Sequence, residues 1–150
     1  MKPEETIDFQ IKLAWQSIGR LYNTVAEQYG TTWATGNVLL AIDSEKGTPV
    51  THLGPKIGLE ATSLSRILRT LEERDLITRK PDIVDRRRVL VQLTAEGLKR
   101  RQDAKQAVIS FNNRLRKCLG NREFERCLNH LSKLNEVFDN DEMEGFNALP

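Results

Sequence analysis

Apolar side chains in the first part of the chain recur at three- and four-residue steps. Between residues 5 and 29 they are Phe9, Trp15, Ile18, Leu21, Tyr22, Val25 and Tyr29. This spacing predicts a long amphipathic helix closed by Gly30, a residue type favoured just after a helix C-terminus. The apolar run over residues 33–43 predicts a second helix, which the turn sequence Lys46–Pro49 breaks.

The middle of the chain changes from helical spacing to strand alternation. In order, the pattern predicts a short helix over 50–57, a tight turn at Gly58 and Leu59, a helix over 60–74, a strand over 76–80, a loop over 81–88 and a returning strand over 89–93. Such a sequence of elements is a winged helix-turn-helix. In this motif the second helix enters the major groove of DNA.

Two further helices are predicted after Thr94, over residues 95–118 and 122–138, divided at Gly120. The last one carries a broad apolar stripe formed by Phe124, Cys127, Leu128, Leu131, Leu134 and Phe138. Together with the apolar side of the first helix, this is more apolar surface than a small winged domain needs, which favours pairing of two chains. The predicted fold is mainly α with a small β-hairpin. Its regions are an N-terminal dimerisation helix (1–30), a winged helix-turn-helix (31–97) and C-terminal dimerisation helices (98–150).

The helix over 60–74 has two chemically different sides. Leu64, Ile67, Leu68 and Leu71 form one stripe, which is predicted to be core. The opposite stripe consists of Thr62, Ser65, Arg66 and Arg69, with no acidic residue before Glu73. Hydroxyls and guanidinium groups donate hydrogen bonds to phosphates and base edges. The DNA contacts predicted on this helix are Thr62, Ser63, Ser65, Arg66 and Arg69.

Three consecutive arginines, Arg86, Arg87 and Arg88, follow Asp85 in the loop between the predicted strands. A loop in this position lies over the neighbouring minor groove, where an arginine is attracted by the negative potential of A·T-rich sequence. If the segment is extended, Asp85 and Arg87 lie on the same side. We therefore expect Asp85 to orient the Arg87 guanidinium through an ion pair, with Arg86 and Arg88 directed to phosphates or the flanking helix.

Basic residues are concentrated in the middle of the chain. The formal net charge is only +2, but residues 60–101 hold eleven Lys and Arg against seven acidic residues, a net charge of +4. Neither a membrane-spanning apolar run nor a signal peptide is visible, and we expect a cytoplasmic protein. Cys118 and Cys127 are expected to be buried free thiols. No motif of an enzyme, a metal site or a cofactor site is recognisable, so no catalytic activity, metal or cofactor is expected.

Residues 53–97 closely resemble the MarR family of bacterial transcription regulators. The matching motifs are Ser65-Arg66 at the helix centre, Leu71-Glu72 and Leu76-Ile77 at its exit, the wing segment over 82–87 and the helix start over 93–97. One departure is Asp75, which stands where the family has glycine. Aspartate tolerates the left-handed conformation better than most residues, so the helix can still end there.

The resemblance implies an obligate homodimer that binds inverted-repeat duplex DNA, with repression the commoner behaviour. It also implies a pocket for a small organic ligand between the dimer helices and the winged domain. Trp15, Tyr22, Trp33 and Asn37 are the candidate pocket residues, because aromatic rings with one polar group suit a flat organic effector. Packing in the core or the dimer interface is the alternative role for these four residues.

Two other functions remain open. One is a winged-helix module that binds proteins, which the basic helix face disfavours. The other is a regulator that responds to oxidants through Cys118 and Cys127. Because we expect both thiols to be hidden in apolar helical surroundings, we favour release by a ligand.

Overall fold

The structure, a computed structural model, describes residues 2–140, so residues 141–150 of the predicted C-terminal region lie outside the described part. After a 3-10 turn at Pro3–Glu5, the elements are α1 (Ile7–Glu27), α2 (Trp33–Ala41), β1 (Thr48–Pro49), α3 (Val50–Ile57), α4 (Ala61–Glu73), β2 (Ile77–Pro81), β3 (Val89–Leu93), α5 (Ala95–Leu119) and α6 (Asn121–Asp139). Each predicted helix and both predicted strands are present. The chain divides into two compact units after Val108, within α5.

The core of the first unit is built from the apolar sides of α2, α3 and α4 and from the sheet. Its buried members are Val38, Leu39, Ala41, Ile42, Leu53, Leu64, Leu68, Leu71, Leu76, Ile77 and Val91. The predicted leucine stripe of α4 is confirmed, with Leu64, Leu68 and Leu71 buried and Ile67 packed against them. Burial of this stripe directs the opposite side of α4 towards solvent.

The sheet has three antiparallel strands in the order β1-β3-β2, so the predicted hairpin gains a third strand. Thr48 pairs with Val91, and Ile77 pairs with Leu93 at the base of the hairpin. Gly47 precedes β1 with φ of 74°, and a Cβ there would lie 2.6 Å from the Val91 carbonyl oxygen. Only glycine lets this turn approach β3 so closely.

The end of α4 is joined tightly to the start of α5. Asp75 has φ of 55°, which confirms that aspartate adopts the left-handed conformation at this helix end. The Leu76 N–H donates to the Leu71 carbonyl at 2.9 Å and the Asp75 N–H to the Glu72 carbonyl at 3.0 Å, a Schellman ending. The Thr94 hydroxyl donates to the Asp75 carbonyl at 2.6 Å and accepts the Gly97 N–H at 3.0 Å.

The second unit contains the end of α5 and α6, separated by a turn at Gly120 with φ of 79°. Arg116 lies 4.2 Å from the ring centre of Phe124 and pairs with Glu125 at 2.7 Å. Phe124 is buried, whereas most of the apolar stripe of α6 is exposed in the single chain. Cys118 and Cys127 are free and exposed. The expectation of buried thiols is therefore wrong for the single chain, because no described element covers Cys118 near the end of α5 or Cys127 on α6.

In the described part of the chain, no helix is long and apolar enough to cross a membrane.

Candidate nucleic-acid interface

The outer side of α4 carries hydroxyls and arginines, as the sequence predicts. Thr62, Ser65, Arg66 and Arg69 are exposed, and Ser63 is half-buried at the edge of this surface. Helix α3 precedes α4 through a turn at Gly58, which has φ of 65°. A Cβ on Gly54 would lie 2.9 Å from the Leu59 carbonyl oxygen, so the close packing of α3 on this turn requires glycine.

The arginines of α4 differ in their partners. Arg69 Nε donates to a Glu73 carboxylate oxygen at 2.8 Å, and both side chains are largely exposed. Because the pair is solvated, it holds Arg69 weakly, and a phosphate or base edge can replace the carboxylate. Arg66 is exposed one turn earlier on the same side. The Arg66 guanidinium therefore contacts no carboxylate on α4, whereas Arg69 would have to leave Glu73 before it could bind a phosphate or a base.

The loop over residues 82–88, which we call the wing tip, is a set of turns and not an extended strand. The Asp82 N–H donates to the Arg88 carbonyl at 3.0 Å, and the Arg88 N–H to the Asp85 carbonyl at 2.9 Å. Arg86, Arg87 and Arg88 are all exposed. The wing tip thus groups three solvated positive charges on a loop closed by its own backbone hydrogen bonds.

The expected ion pair between Asp85 and Arg87 is replaced by another. Arg88 Nε lies 3.4 Å from an Asp85 carboxylate oxygen, and the other oxygen accepts the Arg87 backbone N–H at 3.1 Å. The side-chain alternation assumed for an extended segment does not apply, because residues 85–88 form a turn. Asp85 therefore fixes the backbone that carries Arg87, and its charge is paired with Arg88.

One contact between β2 and α4 is not indicated by the sequence. Arg79 of β2 donates two hydrogen bonds to Glu72 of α4, one of them from Nε at 2.9 Å. The hydrogen bond from Arg79 lowers the pKa of the Glu72 carboxyl and raises the pKa of the Arg79 guanidinium. Because the two residues lie on different elements, no periodicity in the sequence indicates their pairing.

Two of the four candidate pocket residues line a cavity in the first unit. The rings of Tyr22 and Trp33 stack 3.9 Å apart at 8°, and both line a cavity of about 50 Å³. Trp15 and Asn37 do not line it. Trp15 lies further along α1 and is 60% exposed. The four aromatic and polar candidates are therefore not brought to one place.

Charged residues that the sequence did not single out lie beside this cavity. Arg74 donates to the Gly30 carbonyl at 3.0 Å. Arg100 lies 5.8 Å from the ring centre of Tyr29 and pairs with Asp103 at 3.3 Å. The buried indole Nε1 of Trp33 has no hydrogen-bond partner among the described residues. Burial raises the pKa of the Tyr22 hydroxyl.

Over residues 2–140, no cluster of His, Cys, Asp and Glu side chains has an arrangement that could hold a metal ion.

Comparison with known proteins identifies relatives of this chain. The sequence model of the MarR family matches residues 32–89. The HTH-type transcriptional regulator SarZ from Staphylococcus saprophyticus subsp. saprophyticus is 28% identical over 94 residues, which cover 63% of this chain and 64% of the relative. The SarZ proteins of Staphylococcus aureus strains are 26% identical, and 60% of their length is covered. The chain therefore spans 60 to 64% of the length of these curated relatives.

Solved structures extend the similarity to both units. The transcriptional repressor CouR, bound to a 23-mer DNA duplex, has a TM-score of 0.78 and 25% identity, covering 88% of this chain and 94% of that chain. The reduced form of MarR from E. coli has a TM-score of 0.75 and 26% identity, covering 86% and 96%.

Proposed function

We propose that this chain is a transcription regulator of the MarR family and that it binds duplex DNA as a homodimer. The observation that carries the proposal is the exposed side of α4, where hydroxyls and two arginines are presented opposite a buried leucine stripe. The relative CouR, which has the same fold, is a repressor that binds a DNA duplex.

In this proposal α4 enters the major groove and the wing tip lies over the adjacent minor groove. Arg66 can donate to both acceptors of a guanine, and Thr62, Ser63 and Ser65 can reach base edges or phosphates. Arg69 joins them after leaving Glu73. Arg86, Arg87 and Arg88 neutralise phosphates or enter a narrow A·T-rich minor groove.

A homodimer would place two copies of α4 on a two-fold axis. Support comes from large apolar side chains that are exposed in the single chain. In α1, Ile7 and Trp15 are about 60% exposed, and in α6, Leu128, Leu131 and Phe138 are about half exposed. Large apolar side chains exposed on each of the two helices are typical of an interface between chains. The proposed roles of residues 1–30 and 98–150 in dimerisation rest on it.

The second part of the proposal is that the protein represses transcription in the cytoplasm and that a small organic ligand releases it from DNA. Support comes from the cavity beside Tyr22 and Trp33 and from the unpartnered Trp33 indole N–H. At about 50 Å³, the cavity holds a few water molecules. An aromatic ligand would therefore have to separate the stacked rings or displace Arg100, which explains how binding could move α5.

The test is selection of bound sequences from random duplex DNA by the chain of residues 1–150. We expect inverted repeats with half-site centres about 10 base pairs apart, and affinity that falls with salt at a slope of roughly −0.9 per neutralised phosphate. Analytical ultracentrifugation of the complex should give two chains per site. Equal affinity for random duplexes and the selected site would contradict the proposal.

A further inference from the structure

The wing tip presents two apolar side chains as well as its arginines. Ile83 is 96% exposed and Val84 is 95% exposed, whereas the next most exposed large apolar side chain in the described part is Ile7 at 61%. Turns are usually formed by Gly, Pro, Asn, Asp and Ser, and β-branched residues are rare in them. An adjacent β-branched pair at the end of a hairpin is therefore not explained by the requirements of the turn.

Hydrogen bonds on both sides hold this pair in place. The Asp82 carboxylate accepts the Val84 N–H at 2.9 Å, and the Asp82 N–H donates to the Arg88 carbonyl at 3.0 Å. On the other side, the Asp85 carboxylate accepts the Arg87 N–H. Because β-branched side chains have few rotamers, Ile83 and Val84 lose little entropy when they are buried by a partner.

We propose that Ile83 and Val84 form an apolar wedge that inserts into the minor groove beside the major groove entered by α4. This inference rests on the proposed function. Charge complementarity identifies the occupant, because the same loop presents the exposed Arg86 and Arg87, which attract phosphates, while its carboxylates Asp82 and Asp85 accept backbone N–H groups within the loop. The sugar faces of the minor groove are apolar, and apolar wedges from proteins partly unstack the base step that they enter.

Insertion of the wedge gives the wing a role in DNA sequence specificity. This role requires no hydrogen bond to any base. Pyrimidine–purine steps such as TA and CA deform most easily, so insertion of Ile83 and Val84 selects them at the outer flank of each half-site. The arginines of the wing tip contribute charge attraction, and the preference expected of Arg87 for A·T flanks is a preference for a narrow groove and not for a deformable step. The two contributions are separable by their response to salt.

The experiment compares wild type, the double variant Ile83→Ser/Val84→Ser and the exchange Ile83→Val/Val84→Ile, which keeps an apolar β-branched tip. The probe is the duplex selected by the wild-type chain, with 2-aminopurine at the step under the wing. The serine variant should bind this duplex roughly ten- to a hundredfold more weakly, as expected for two apolar side chains that lose their burial. Its salt slope should be unchanged, and the exchange variant should bind like wild type.

Fluorescence of 2-aminopurine should rise on binding of wild type and of the exchange variant, and not on binding of the serine variant at saturation. The inference is overturned if the serine variant binds with wild-type affinity and the same flank preference while Arg66→Ala weakens binding. It is also overturned if the serine substitutions change the oligomeric mass and not the DNA affinity, because the tip would then contact another chain. Failure of wild type to prefer any duplex contradicts the proposed function itself.

Discussion

On the outer side of α4, Arg69 has two competing partners, the Glu73 carboxylate at 2.8 Å and the DNA that we propose it binds. An exposed pair of this kind contributes about 0.2–1 kcal/mol. Glu73→Gln should therefore raise DNA affinity by up to about fivefold. Arg66→Ala and Arg69→Ala should each weaken it by about 1–3 kcal/mol and relax specificity at defined positions. Fluorescence anisotropy with the selected duplex measures these changes.

The matched control is Glu45→Gln, which removes the same charge from the turn after α2. If both glutamine variants bind equally more tightly, net charge explains the gain and the competition at Arg69 does not.

Asp85 offers a second prediction at this scale, because it acts on the backbone of Arg87. Asparagine can still accept the Arg87 N–H, so Asp85→Asn should keep the turn and most DNA affinity, whereas Asp85→Ala should lose both. Arg87→Ala should weaken binding further and reduce the preference for A·T flanks. Selection with each variant measures the flank preference. Equal affinities for the asparagine and alanine variants would contradict a role in the turn.

Between elements, the junction of α4 and α5 depends on Gly97. A Cβ on this residue would lie 1.9 Å from the Leu76 carbonyl oxygen, where no side-chain rotamer can relieve the contact. Gly97→Ala should destabilise the chain by roughly 1–3 kcal/mol because the backbone must move. Gly19→Ala in α1 is the control, since a Cβ there meets nothing within 4 Å and alanine favours a helix. Thermal unfolding measures both variants. A melting temperature for Gly97→Ala as high as that of Gly19→Ala would contradict the close approach of Gly97 to Leu76.

The ion pair between α4 and β2 gives a prediction about pH. The folded-state pKa of Glu72 is lowered by the hydrogen bond from Arg79. The pair therefore contributes stability above the ordinary glutamate value of 4.5 and loses it as pH falls through the lower folded-state pKa. Glu72→Gln should lower the melting temperature at neutral pH and converge with wild type in acid. A parallel offset at every pH would mean that the difference does not arise from titration of Glu72.

The sequence predicts elements better than it predicts contacts between them. The helices and the hairpin follow from apolar periodicity, but β1 has two residues, too few to show alternation. The Arg79–Glu72 pair and the wing turn depend on how chain segments meet. Tyr22 stacks on Trp33 at the start of α2, whereas Trp15, two turns earlier on α1, is 60% exposed. Which side chains of α1 meet α2 depends on how the two helices cross, and apolar periodicity does not encode that.

For the whole molecule, the proposed release of DNA by a ligand depends on where the cavity lies relative to α4. Its lining includes Arg74 and Leu76 directly after α4 and Arg100 and Ala104 on α5. Thr94 and Gly97 hold α5 against the end of α4. A ligand that displaces α5 would therefore change the position of α4 without touching DNA. A tenfold change in DNA affinity requires a preference of only about 1.4 kcal/mol for the non-binding state.

This mechanism and oxidation of the exposed thiols predict different results. Cys118 and Cys127 both lie in the second unit, whereas the cavity and α4 lie in the first. We expect peroxide to release the selected duplex no better from wild type than from Cys118→Ser/Cys127→Ser. By contrast, an aromatic acid found to release DNA should act equally on both proteins, and DNA should weaken its binding by the same factor. Anisotropy titrations with and without peroxide measure the first comparison, and calorimetry with and without the duplex measures the reciprocity. If peroxide releases DNA from wild type only, oxidation of the thiols controls DNA binding. The exposure of both cysteines in the single chain is then the structural basis of that response.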